Sequence, residues 1–116
     1  MLPQPHRMRN SEEFRATVKR GARIGRPALV LHASRVEGDA DIRVGFVVSK
    51  AVGNAVTRNR VKRRLRHLVA AELASTPPGS RMVVRALPKA ALPQVDIGSD
   101  LHRAWSAAVR RTAGQR

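Results

Sequence analysis

The chain has no cysteine, which excludes disulfides and thiolate zinc sites and suits a reducing, intracellular compartment. It has no tyrosine either, and Phe14, Phe46 and Trp105 are its whole aromatic inventory, so surfaces on which a nucleobase can stack are scarce. Acids are few: Glu12, Glu13, Glu37, Asp39, Asp41, Glu72, Asp96 and Asp100. They are scattered over helix starts, one turn and one late helical position, whereas a two-metal phosphodiesterase site needs several carboxylates converging on one spot. Asp39 and Asp41 are the one close pair, and they read as a solvated turn. His6, His32, His67 and His102 fall in four different elements and offer no acid–base pair by spacing. No catalytic site and no metal site is expected on the protein itself. No apolar run approaches the roughly 18 residues of a membrane span, and the opening MLPQPHRMRNSEEF lacks the apolar stretch of a targeting segment. The expected location is the cytoplasm, with no membrane partner.

What the chain has in excess is positive charge. Its 116 residues carry 23 Lys and Arg against 8 acids, a formal net charge of +15 and a pI near 12.0. Such a density favours a polyanion, because each phosphate neutralised releases condensed counterions. The lysines are only Lys19, Lys50, Lys62 and Lys89, so the surface is mostly guanidinium. A planar fork that holds phosphate through two hydrogen bonds suits structured RNA or DNA better than a diffuse membrane charge.

The length fits one domain with one core. Residues 1–10 read as a flexible basic arm, 11–112 as a single domain and 113–116 as a tail. Ser11 is the expected cap of a first helix that carries Glu12 and Glu13 at its positive end, sets Phe14 and Val18 on one face and stops at Gly21. Alternation from Ala28 to Val36 predicts a strand, with a shorter strand near Ile24 before it. Ile42 to Ser49 predicts another, and the polar EGDAD segment (residues 37–41) between the two suggests an antiparallel hairpin. Asn54 is the expected cap of a long helix reaching about Ala74 and ended by TPPG; Met82–Val84 is a strand. Leu101, Ala104, Trp105, Ala108 and Val109 mark the core face of a last helix capped by Ser99. The fold class is α+β, a small single-domain α/β sandwich in the order α-β-β-β-α-β-α.

The long helix holds Arg58, Arg60, Lys62, Arg63, Arg64 and Arg66, with His67, and no acid. Val61, Leu65, Leu68, Val69 and Leu73 share one arc; Asn59, Arg60, Arg63, Arg66 and His67 lie on the other. Like charges three or four residues apart cost a few tenths of a kcal/mol per pair, a cost that phosphates would relieve. A charged helical face is ordinarily just solvated, but an unrelieved cationic face on so basic a chain favours nucleic acid. Asn54 and the first amides of the helix add a second expected anion contact.

VSKAVGNAVTRNRVKRRLRHL (Val48 to Leu68) resembles the signature of the bacterial ribonuclease P protein component: a strand ending in Val-Ser-Lys, a Gly-Asn-Ala turn, then Arg-Asn-Arg with a basic continuation. The flanks RMRNSEEF, RVGFVVSK and MVVRA agree as well, so the resemblance covers roughly residues 7 to 112. It implies the small subunit of a ribonucleoprotein whose RNA subunit is the catalyst and removes the 5′ leader of precursor tRNA. The partners are then the catalytic RNA and precursor tRNA, with no obligate protein partner, and Mg2+ is needed by the holoenzyme and held mainly by RNA. Lys50, Asn54, Arg58, Asn59, Arg60, Lys62, Arg63 and Arg66 are expected to meet the catalytic RNA, mostly at phosphates.

The resemblance also implies a cleft between the first helix and the sheet for the single-stranded leader, formed by Phe14, Val18, Val30 and His32. Here the chain departs from the family: Val18 and His32 stand where aromatic residues are common, and Leu87 stands where a basic one is, with Arg85 nearby. Phe14 serves equally well as a core anchor, and Trp105 reads as core. A left-handed β-α-β crossover is a further implication, and the residue pattern itself does not predict it. On composition alone, a structural RNA-binding protein such as a ribosomal protein fits as well as a processing subunit. A protein nuclease lacks its carboxylate cluster, and a basic zipper lacks heptads after the basic run.

Overall fold

A computed structural model describes residues 6–8 and 10–113; the rest of the expected arm and tail lies outside the described residues. The elements follow the expected order: α1 (Ser11–Arg20), β1 (Ala22–Gly25), β2 (Leu29–Arg35), β3 (Arg43–Val47), α2 (Ala55–Ala70), β4 (Ser80–Ala86) and α3 (Ile97–Thr112). Short 3-10 turns at Lys50–Val52, Leu73–Ser75 and Pro88–Ala91 join them.

The sheet runs β1-β2-β4-β3. β4 is antiparallel to β2 and parallel to β3, so β2 and β3 are not neighbours and the expected hairpin does not form. Its EGDAD segment is a crossing loop instead. The reason is chemical. Asp39 turns its carboxylate and Asp41 its backbone carbonyl to Arg81 at the start of β4, which ties the loop to β4. β4 then fills the centre, where its run Met82–Val84 is wholly buried, as a central strand requires. β3, α2 and β4 form a parallel β-α-β unit.

One face of the sheet carries the main core. Leu29, Leu31, Ala33, Val44, Met82 and Val84 pack there against Val61, Leu65 and Val69 of α2 and Leu101, Ala104, Trp105 and Ala108 of α3. Trp105 is core as expected, and its indole N–H donates to Thr76 Oγ1 at 2.9 Å. On the opposite face α1 lies across β2 and β4, burying Thr17. Phe14 lies against Gly45 of β3 so closely that a Cβ there would stand 2.8 Å from its ring. Residues 6–8 of the expected arm run beside β3: Arg7 bridges Val44 and the Met8 amide donates to Val44 O at 2.8 Å.

Three helix boundaries differ from expectation. Asn10, not Ser11, caps α1 by accepting from the Glu12 and Glu13 amides. Asp96, not Ser99, caps α3, and the Ser99 amide donates to it. α2 stops at Ala70, and its expected last turn is partly a 3-10 turn. In each cap the preferred residue type stands one to three positions ahead of the serine, and the carboxylate or amide oxygen reaches two helix amides or the third one.

Candidate nucleic-acid interface

Why does α2 stand where it does? Gly53 admits the first turn of the helix, since a Cβ there would meet Thr57 Cγ2 at 2.9 Å. Asn54 Oδ1 then accepts from the Thr57 amide at 2.9 Å, confirming the expected cap. The same bond takes one amide and the Asn54 oxygen out of any anion site at this helix end. Lys50 stands exposed on the preceding 3-10 turn.

Burial of Val61, Leu65 and Val69 fixes the rotation of α2 and sorts its cations into three rows rather than one face. Asn59, Arg63 and His67 point out and are exposed. Arg58, Lys62 and Arg66 form a half-buried ridge on the flank toward β3. Arg60 and Arg64, both exposed, occupy the other flank. The arc on which Arg60, Arg63 and Arg66 were expected together is therefore split.

The half-buried ridge meets the arm. Arg7, Lys62 and Arg66 surround a depression of about 240 Å3 whose floor is Val44, Gly45 and Phe46. Arg66 lies over the Phe46 ring at 6.0 Å. Burial first, and the charge of Arg7 second, hold the Arg66 guanidinium below its ordinary proton affinity. The Nε atoms of Arg7, Arg58 and Arg66 are buried with no hydrogen-bond partner among the described residues. Cations gathered this closely, with N–H groups left over, have the chemistry to hold an anion.

Six of the eight acids are occupied elsewhere. Glu13 and Asp39 bind Arg81, Asp41 binds Arg43, Asp100 binds Arg26 and the Ala28 amide, and Glu72 faces His102. Asp96 caps α3. Among the described residues no ion pair reaches α2. No group of three or more His, Asp or Glu gathers among them as a metal site would require. With Glu13 and Asp39 spent on Arg81, these residues offer Mg2+ no carboxylate cluster.

The expected cleft is shallower than its four residues suggest. Phe14 and Val18 are half-buried on α1, and a depression beside Met8, Asn10 and Arg15 exposes part of Phe14. Val30 and His32, however, are 5% and 7% exposed, so neither presents a free face for stacking. Burial, then Arg85 and Arg23, hold the His32 imidazole below its ordinary proton affinity, and its Nδ1 has no partner among the described residues. Arg85 is exposed on the same strand face, between Val30 of β2 and Val47 of β3.

A model of the Ribonuclease P protein family matches residues 2–109. The chain belongs to the ribonuclease P family. It is 54% identical over 114 residues to a ribonuclease P protein component from Kocuria rhizophila, covering 97% of this chain and all of that one. It is 51% identical over 112 residues to the corresponding component from Mycobacterium sp. (strain KMS), covering 96% and 92%. Among solved structures, the RNase P protein of Staphylococcus aureus superposes with a TM-score of 0.78 at 25% identity, over 89% of this chain and 94% of that one. The Thermotoga maritima RNase P protein shares the fold, with a TM-score of 0.72 at 24% identity over 93% and 98%.

Sequence reading singled out neither Arg7 nor Arg64. Arg64 was within reach, since it stands one turn after Arg60 on the same flank. Arg7 carries no local signal; only the bridge to β3 brings it beside Arg66.

Proposed function

We propose that this chain serves as the protein subunit of ribonuclease P, with the catalytic centre in the RNA, and that α2 is its dock for that RNA. The observation that carries the proposal is the separation of charge. Every ion pair of the described residues lies away from α2, whose cations and buried guanidinium nitrogens are left for an outside anion. Arg58, Lys62 and Arg66 meet phosphates on the β3 flank, with Lys50, Asn59, Arg60 and Arg63 extending the contact along the exposed side. Asn54 acts chiefly by fixing the start of the helix.

On the α1 side, Phe14 offers its exposed part to a base of the leader of precursor tRNA and Val18 adds apolar contact. Val30 and His32 support the floor from beneath, and Arg85 supplies charge at the rim. With a single partly exposed ring, leader binding leans on arginine more than on stacking. Neutralising phosphates on both RNAs lowers their repulsion and with it the Mg2+ the RNA requires. Such a subunit acts in the cytoplasm on the leader's endonucleolytic removal. A structural role of the ribosomal kind would use the same cations, but no observation here favours it over the family's own.

The test is cleavage of a precursor tRNA at low Mg2+ by the cognate catalytic RNA, with and without the protein, beside a protein-only control. Cleavage at the mature 5′ end that needs both components supports the proposal. RNA binding that leaves this reaction unchanged contradicts it.

A further inference from the structure

β4 ends at Ala86, and the chain then turns back alongside α2. The Leu87 amide donates to Ala28 O at 2.9 Å, and the Ala90, Leu92 and Val95 amides donate to carbonyls within the segment itself. A segment whose amides are satisfied in this way is a built wall rather than a loose loop. Between it and α2 runs a groove of about 200 Å3. Ala91, Leu92 and Val95 line one side, Val61 lies at the bottom, and Arg60 and Arg64 stand on the α2 side.

Leu92 is 41% exposed, one of three large apolar side chains so displayed among the described residues. Arg60 and Arg64 are one helical turn apart, repel each other, and make no ion pair among the described residues. Asp96 adjoins the groove in sequence, but its carboxylate is turned to the Ser99 amide at 2.9 Å. The groove is smaller than the roughly 300 Å3 at which pockets for drug-sized ligands begin, so it has room for about one ring system. A narrow apolar slot with two unpaired guanidinium groups at its rim complements one chemical unit: a flat base joined to a phosphate.

We infer that this groove takes an unpaired nucleotide of the catalytic RNA, its base between Val61, Ala91, Leu92 and Val95 and its phosphate on Arg60 and Arg64. The inference rests on the functional reading above. It adds a base-binding contact on the flank of α2 opposite the Arg58–Lys62–Arg66 ridge, turned away from Phe14 and so from the leader. An acidic peptide would satisfy the arginines as well, but the groove offers it neither a free strand edge nor a helix-long apolar trough.

The test compares base-reactive chemical probing of the catalytic RNA alone, with the wild-type protein, and with Ala91→Phe, which fills the slot. Arg64→Ala, an exposed change that leaves the core intact, is measured in parallel. The expected result is a small set of unpaired bases that the wild-type protein protects and that regain reactivity with Ala91→Phe, while protections elsewhere persist. Arg64→Ala is expected to weaken binding several-fold and lower the salt slope by about one. Unchanged base protection and affinity in both variants overturn the inference and leave the functional reading standing. So does a change confined to self-association in sedimentation, or to binding of an acidic peptide. If Ala91→Phe does not fold, Arg64→Ala decides. No protection of the RNA by wild-type protein contradicts the functional reading itself.

Discussion

Arg81 and Arg66 are both drawn into the protein, and they meet opposite company. Arg81, 3% exposed, donates to Glu13 from Nε and to Asp39 from Nη2, each at 2.8 Å, and to Asp41 O from Nη1. Arg66, half-buried over Phe46, has an Nε without a partner among the described residues and Arg7 as its charged neighbour. A charge withdrawn from water must be compensated. The chain spends scarce carboxylates on Arg81, where the compensation ties α1, the crossing loop and β4 together. Among the described residues no carboxylate pairs with α2. One arginine holds the fold, and the other has no carboxylate beside it among the described residues.

The comparison is broken most forcefully at Arg81. Arg81→Ala strands the Glu13 and Asp39 carboxylates and frees α1 from the sheet, with an expected loss of about 3 kcal/mol, the low end for a buried pair because both acids reach solvent. Urea unfolding measures it, and a loss near zero would mean that the ion pairs are ornaments of the surface. Next in size is Gly45→Ala. The new methyl presses on the Phe14 ring and is expected to cost about 1–2 kcal/mol. Leader affinity should fall in the same variant, as α1 shifts.

On α2 the sign reverses. Arg63→Gln removes an exposed cation that stands three residues from both Arg60 and Arg66 and is expected to raise stability by a few tenths of a kcal/mol at low salt, an effect that salt abolishes. A loss of stability there would show that these like charges are compensated after all. Smallest is the pH dependence due to His32. Its proton affinity in the fold lies below the ordinary value of 6.5, by burial first and then by Arg85 and Arg23. The unfolded chain therefore binds more protons, so this contribution rises with pH toward about 6.5 and is lost as pH falls below it. His32→Asn should flatten that stretch of the melting-temperature profile. An unaltered slope would assign it to other groups.

Elements and their order were legible because the periodicities of α2, α3 and β2 are strong, and the Asn54 cap and the Trp105 core position followed from residue type and spacing. Strand pairing was not. β2 alternates, but Leu29, Val30, Leu31 and His32 are all buried, so alternation did not separate an inner from an outer face. The polar loop after it looked like a hairpin turn because its acids gave no hint that they answer to Arg81, far along the chain. That arginine shares SRMVVRA with the exposed Arg85, so nothing local marks it as the buried cation of the two. The cations of α2 were visible as a set, yet their division into three rows depends on which side chains face the sheet. The cleft residues Val30 and His32 came from family resemblance, and their burial is set by α1, which no pattern within β2 encodes.

The central claim is that α2 keeps its cations unpaired for RNA phosphates. Its most direct test is the slope of log affinity against log salt for the catalytic RNA, measured with the wild-type protein and with Lys62→Gln/Arg66→Gln. The account predicts a slope shallower by about one unit for each phosphate no longer neutralised, close to two for the pair, in a protein that stays folded. An unchanged slope with an intact fold would contradict it.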